Sequence, residues 1–291
     1  MKPHPHDTAS SPDPVAGRVS VLMPDFNEVE HIYRNLRETA EVIARLCPDY
    51  EIVAADDGSR DDTLREIERA ARENPRIRCF STRDNRGKGW ALKKAFGLCR
   101  GTWVFFLDSD LDIHPQQFLS LLRVQKATGA DVVIGSKRHP DSTLKYPFSR
   151  RIVSAAYFFL VKALFGLPLR DTQTGIKLFK RTVLEAIFPR ILVKQYAFDL
   201  EILVNAHRRG YPIAEAPVVV DYRGKFGRIG PRSIWTILID TLAVFYRAKI
   251  LKYHDRPLSL WARTPPVSII IACREITPYL RECLEHIARL E

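Results

Sequence analysis

Trp103-Val104-Phe105-Phe106-Leu107-Asp108-Ser109-Asp110-Leu111-Asp112 runs from five apolar residues straight into three alternating carboxylates. A short apolar run bounded by a polar turn reads as a buried strand. In an open α/β sheet, ligands bind beyond the carboxyl end of such a strand. Carboxylates this close repel one another, and a divalent cation relieves the repulsion. Hard oxygen donors favour Mg2+ or Mn2+, with water and phosphate oxygens filling the remaining positions. Asp108, Asp110 and Asp112 are therefore the candidate metal ligands. The plainer alternative is an Asp-rich surface turn with Asp112 capping a helix. What weighs against it is a set of further polar turns at other strand ends.

Working outward from this strand, short β-branched runs occur at Val19–Met23, Glu51–Ala55, Ile77–Phe80 and Asp131–Gly135. Amphipathic stretches at Glu30–Leu46, Asp62–Glu73, Lys88–Cys99 and Gln116–Thr128 separate them. The alternation predicts βαβ units, that is, an α/β fold with a mostly parallel Rossmann-like sheet flanked by helices. Polar turns follow the first three strands: Pro24-Asp25-Phe26-Asn27-Glu28, Asp56-Asp57-Gly58-Ser59, and Asp84-Asn85-Arg86-Gly87-Lys88-Gly89. The last of these suits phosphate, with backbone amides and Lys88 facing the anion. Neither GxxxxGK[ST] nor GxGxxG occurs, which disfavours a P-loop kinase and a dinucleotide oxidoreductase.

The chain has 291 residues, 46% hydrophobic and 27% charged, which excludes wholesale disorder. Its net charge of +11 is unevenly placed. Lys137 to Arg256 holds 22 Lys and Arg against 9 Asp and Glu, whereas the rest is nearly balanced. Nucleic acid, an anionic membrane or phosphorylated substrates would each account for the excess. A nucleic-acid module leaves the acidic strand ends unexplained, so no nucleic-acid partner is expected. This segment predicts helices at Ile152–Leu167, Phe198–Arg209 and Ser233–Lys252, with strands at Gly175–Phe179 and Ala214–Asp221. The first and last of these helices are apolar with basic flanks, as suits the surface of an anionic membrane.

Five scattered cysteines without CxxC spacing point away from a disulfide scaffold and toward a reducing compartment. No apolar signal core opens the chain and no uncharged apolar run reaches 18 residues. The expected location is cytoplasmic, peripheral at the cytoplasmic face of a membrane. Residues 1–17 read as a disordered tail, 18–255 as the main domain and 256–266 as a linker. The strand-and-helix pattern from Val267 echoes that from Val19, so 267–291 reads as the truncated start of a second domain of the same kind.

The motifs PDFNE, ADDGSRDDT, NRGKGWA, DSDLD and IGSKR stand in an order and spacing that resembles family 2 glycosyltransferases. DTQTGIKLFKR and YAFDLEIL look like the polyprenyl-phosphate branch, which includes dolichyl-phosphate mannosyl- and glucosyltransferases. The resemblance covers about Val19 to Arg247 and implies the GT-A nucleotide-diphospho-sugar transferase fold. It implies metal-dependent, inverting transfer of a hexose, glucose or mannose, from a UDP- or GDP-sugar to a polyprenyl phosphate, or alternatively to a hydroxyl of a glycan or other acceptor. It assigns Pro24, Asn27, Glu28, Asp56, Asp57, Lys88 and Asp108 to the nucleotide sugar, and Asp108, Asp110 and Asp112 to the metal. Arg138, with Arg228 or Arg232, falls to the donor phosphates. Asp110 and Arg138 fall to catalysis, as does Asp199, which would be the base for a hydroxyl acceptor. Asp199 reads equally well as an N-cap of its helix.

Overall fold

In the computed structural model, which describes residues 17–144, 148–193, 195, 197–221 and 231–255, the strand ending at the acidic motif lies at the centre of the sheet. The strands are β1 (Val19–Asp25), β2 (Tyr50–Asp56), β3 (Ile77–Ser81), β4 (Trp103–Phe106), β5 (Val132–Ser136), β7 (Lys177–Lys180) and β8 (Ile213–Pro217). They pair in the order β3-β2-β1-β4-β7-β5-β8. All pairings are parallel except those of β7, which runs antiparallel to β4 and β5. Two short strands, β6 (Thr143–Leu144) and β9 (Val219–Val220), form a separate parallel pair.

The side-chain alternation of β4 explains how the sheet is covered. Phe105 faces a core that includes Ile32 and Leu36 of α1 (Ile32–Leu46), Ile67 of α2 (Thr63–Glu73) and Phe118 of α4 (Phe118–Thr128). Val104 and Phe106 face the other core. That core holds Leu92 of α3 (Lys88–Ala95), Val161 of α5 (Phe148–Phe165), Leu184 of α6 (Arg181–Ile187) and Phe198 of α7 (Phe198–Arg208). Successive residues of a strand point to opposite faces, so a sheet covered on both sides needs apolar runs such as WVFFL. The expected α/β fold, mostly parallel sheet and flanking helices are observed.

Some boundaries differ from the sequence reading. Helix α6 follows β7 without a loop and was not expected. The strand expected over Ala214–Asp221 is split into β8 and β9 at Val218, next to Pro217, whose ring removes a ladder donor. The last α-helix among the described residues is α8 (Pro231–Phe245), followed by a π-helical turn at Tyr246–Ile250. Trp235, Ile239, Leu242, Tyr246 and Ile250 are exposed along it at helical spacing. No helix among the described residues is long and apolar enough to cross a membrane. The expected tail at 1–16, the linker at 256–266 and the repeat at 267–291 lie outside the described residues.

Candidate active site

Strands β1, β2 and β4 are parallel neighbours, so their carboxyl ends, and the turns that follow, open on the same edge of the sheet. The first two turns are stitched together. Asn27 N donates to Ser59 Oγ (2.9 Å) and Arg60 N to Asn27 Oδ1 (2.9 Å), while Glu28 N donates to Thr63 Oγ1 (2.7 Å). Asn27 takes a left-handed φ of 56°, which Asn tolerates better than most residues. The third turn is held by Asp57, whose two oxygens accept from Arg86 N (2.9 Å) and Gly87 N (2.7 Å). Gly58 makes that approach possible: its φ is +72°, and a Cβ there would meet the backbone of Asp84.

A cavity of about 580 Å3 opens between these turns. Pro24, Glu28, Asp57, Lys88, Asp108, Asp110 and Asp199 line it, seven of the residues singled out from sequence. A smaller cavity of about 100 Å3 adjoins it, lined by Asp108, Asp110, Asp112, Lys137, Gln173 and Gly175 among others. The acidic turn is braced at Leu111, a non-glycine residue at φ 52° whose side chain is buried. Such a backbone persists only when its surroundings hold it, here by sinking Leu111 into the core. Asp112 N donates to Asp110 Oδ1 (3.1 Å).

The electrostatics divide the carboxylates. Burial alone would push Asp108 up, but the Lys88 ammonium at 2.5 Å, with Lys177 and Lys137, brings it below the ordinary value. Asp110 is exposed on one side, yet enclosure by the cavity walls, then the Asp108 and Asp112 charges, pushes it up to about 7. Asp57 and Glu28 are raised as well, chiefly by burial.

Among the described residues, no group of three or more His, Cys, Asp and Glu forms a ready metal cage. The donor set nevertheless fits a hard divalent cation that keeps water and phosphate in its shell. Asp110 is an oxygen donor whose like-charge neighbours a cation would relieve.

Several expected residues stand elsewhere. Asp56 is consumed internally, accepting from Ser59 N (3.1 Å) and Ser81 Oγ (2.8 Å), and it braces the turn. Arg138 lines neither cavity: its guanidinium donates to Ser154 Oγ (3.2 Å) and lies over the Phe158 ring of α5. The cation that reaches the small cavity is its neighbour Lys137. Arg228 lies outside the described residues, and Arg232 stands in the first turn of α8.

Asp199 is not an N-cap by side-chain hydrogen bond; Ala197 is the capping residue. It stands in the first turn of α7, buried, and accepts from Lys177 Nζ at 2.7 Å. Lys177 also donates to the Thr174 carbonyl. Gly175 is pressed so closely on the Asp108 carboxylate that a Cβ would overlap it.

Sequence reading missed Lys137, Gln173, Gly175 and Lys177, and within PDFNE it passed over Asp25. The antiparallel direction of β7 explains most of this. Its amino end, not its carboxyl end, meets the carboxyl end of β4 and carries 171–177 to the site. One signal was available: a lysine inside the apolar stretch Gly175-Ile176-Lys177-Leu178-Phe179, which is costly unless paired.

Asp25 has both carboxyl oxygens buried without a hydrogen-bond partner, and the Ser109 hydroxyl donates to the Pro24 carbonyl (3.0 Å). Burial, then Asp56 and Glu28, holds Asp25 well above the ordinary carboxyl range.

The pattern of Glycosyl transferase family 2 matches residues 20–188. Glycosyltransferase AglD of Haloferax volcanii is 34% identical over 208 residues, covering 71% of this chain and 33% of that protein. Dolichyl-phosphate beta-glucosyltransferase of Dictyostelium discoideum is 31% identical, covering 69% of this chain and 65% of its own length. Dolichyl-phosphate beta-glucosyltransferase ALG5A of Trichomonas vaginalis is 32% identical, covering 84% and 78%. The chain thus spans a third of the first relative's length and just under two thirds of the second's. The fold is shared with glucosyl-3-phosphoglycerate synthase from Mycobacterium tuberculosis, at TM-score 0.60 and 20% identity over 79% of each chain, in a crystal with Mn2+, UDP and glucosyl-3-phosphoglycerate. The GT-A architecture expected from the motifs is the one observed.

Proposed function

Because the chain belongs to glycosyl transferase family 2, we propose that it transfers a hexose, glucose or mannose, from a UDP- or GDP-sugar to a polyprenyl phosphate at a membrane surface. The observation that carries this reading is the shared cavity of Asp57, Lys88, Asp108, Asp110 and Asp199 at the carboxyl ends of β1, β2 and β4. A nucleoside diphosphate suits it. Phe26, 41% exposed at the cavity, offers its ring to a base, while Glu28 offers an acceptor beside it.

The diphosphate lies toward the acidic turn. A Mg2+ or Mn2+ held there by Asp110, with Asp108 or Asp112, would neutralise the charge that develops on the leaving group. Lys88 sits beside Asp108 and adds an ammonium to that end of the cavity. Its own tendency to lose the proton on burial is overcome by Asp108 and Asp199, which keep it charged. Lys137 supplies a second cation from the small cavity.

The acceptor reading rests on the dolichyl-phosphate relatives and on the chemistry of the site. In a single in-line displacement, an oxygen of the lipid phosphate forms its bond to the anomeric carbon as the bond to the nucleoside diphosphate breaks. The configuration inverts. A phosphate oxygen is already ionised near neutrality, so no strong base is required. Asp199 fits this, since its carboxylate is engaged by the buried Lys177 ammonium. An acceptor hydroxyl, by contrast, would need a base.

Contact with an anionic lipid surface is supported by the exposed stripe Trp235, Ile239, Leu242, Tyr246 and Ile250, with the exposed Lys249 and Lys252 beside its end. An apolar stripe next to cations suits the interface of an anionic bilayer. The substrate lipid would then be presented at the cytoplasmic face. The test is a panel of labelled UDP- and GDP-hexoses supplied with Mg2+ or Mn2+ and anionic vesicles carrying polyprenyl phosphate. Transfer from one of them supports the reading; no transfer from any rejects it.

A further inference from the structure

Gln173 combines three features that its neighbours do not explain. Its side-chain Nε2 is buried with no hydrogen-bond partner. It lines both the large and the small cavity, beside Asp108 and Asp110 in each. Its backbone is also fixed to an unusual degree for a loop. Asp171 Oδ1 accepts from Gln173 N (2.9 Å), and Asp171 Oδ2 accepts from Thr174 Oγ1 (2.6 Å) and Lys137 N (3.1 Å). Glu215 Oε1 on β8 accepts in turn from Arg170 N (2.9 Å) and Asp171 N (3.2 Å). On the other side of Gln173, Gly175 is packed against the Asp108 carboxylate.

A buried donor with no acceptor is costly, and one held rigidly at a cavity wall is placed for an oxygen that arrives with a ligand. The phosphates already have charged partners in reach, Lys88 and Lys137. A neutral amide adds little to the binding of an anion, but it discriminates sharply between hydroxyl positions. A site built to hydrogen-bond a hydroxyl rejects an analogue that lacks it.

We propose that Gln173 is a specificity-determining residue that donates from its side-chain amide to one hydroxyl of the donor hexose. This rests on the nucleotide-sugar reading above. The loop Asp171–Gly175 then acts as a rigid mount: Asp171 and Glu215 hold its base, Gly175 seats it on Asp108, and Gln173 presents one N–H to the sugar.

The experiment compares kcat/KM of the wild type and of Gln173→Ala with the parent nucleotide sugar and with its monodeoxy-hexose analogues, alongside binding of the free nucleoside diphosphate. The expected result is that removing one particular hydroxyl costs the wild type about tenfold, the upper range for one neutral hydrogen bond. Gln173→Ala loses about the same with the parent sugar and nothing further with that one analogue, and it binds nucleoside diphosphate as the wild type does. Gln173→Asn keeps the amide but withdraws it by one methylene; it gives the same pattern and covers the case in which the alanine variant does not fold. Equal losses on every analogue, or a loss already present with nucleoside diphosphate alone, would overturn the inference while leaving the transferase reading standing. A wild type that uses no nucleotide sugar at all would remove both.

Discussion

Lys177 and Asp199 form a buried ion pair, Nζ to Oδ1 at 2.7 Å, that ties strand β7 to the first turn of α7. Lys177 is 1% exposed and Asp199 7%. The pair joins the strand that follows the loop pressed against Asp108 to α7, and Gln173 of that loop and Asp199 of α7 both line the cavity. Buried pairs are costly to break from one side, because the remaining charge is left in a poor solvent.

Lys177→Met is therefore expected to cost about 3–5 kcal/mol of stability by stranding Asp199. Chemical denaturation measures it directly. A change within about 0.5 kcal/mol, the usual range for surface substitutions, would show that the pair is not a structural element of the site.

Gly175→Ala places a methyl group where the Asp108 carboxylate now lies. Asp108 must move, and a displacement of about 1 Å in a catalytic group can cost about 100-fold in rate. The expected outcome is a fall in kcat of that order with thermal stability lowered only modestly. Full turnover in the variant would place Asp108 outside the reaction.

Asp110→Asn is expected to lower transfer by several kcal/mol of transition-state stabilisation, about 1000-fold or more, through loss of a negatively charged metal donor. The fold should survive, since Asp110 is exposed at the cavity. Wild-type turnover undiminished in excess EDTA would contradict the metal requirement.

Asp25 gives a pH signature. Its folded-state carboxyl lies well above the ordinary value of 3.8, chiefly through burial. The fold therefore prefers the protonated acid. Its contribution is fully present below the unfolded value and is lost as pH rises through the folded one. Asp25→Asn mimics the protonated form, so the variant is expected to melt above the wild type at pH 8 and to lose that advantage toward pH 4. Melting curves across this range check it. A constant offset at all pH values would show that Asp25 is ionised in the fold.

Much of the sheet could be read from hydrophobic runs because it is covered on both faces, and WVFFL or EIVAA admits few other placements. The polar turns after β1, β2 and β4 were legible for the same reason: parallel direction sends every carboxyl end to one edge. The contribution of β7 was not legible, because nothing in Gly175-Ile176-Lys177-Leu178-Phe179 gives the strand's direction. Its reversal turns the loop before it, with Gln173 and Gly175, into part of the site. Lys137 and Arg138 illustrate a second limit. Both are cations after β5, and only the packing of Arg138 on Phe158 leaves its neighbour facing the acidic turn. Asp56 and Asp57 are alike in sequence, but Asp56 ends β2 and braces the turn after it, whereas Asp57 stands just beyond the strand and lines the cavity.

In the proposed reaction a lipid phosphate accepts the hexose. The most direct measurement supplies labelled nucleotide sugar with either polyprenyl phosphate or the corresponding free alcohol, using wild type and Asp199→Asn. Label is expected in the phosphate ester and not in the alcohol, with Asp199→Asn retaining most of its chemistry wherever it folds, because a phosphate nucleophile needs no strong base. Label in the alcohol but not in the phosphate ester would contradict this reading and point to a hydroxyl acceptor.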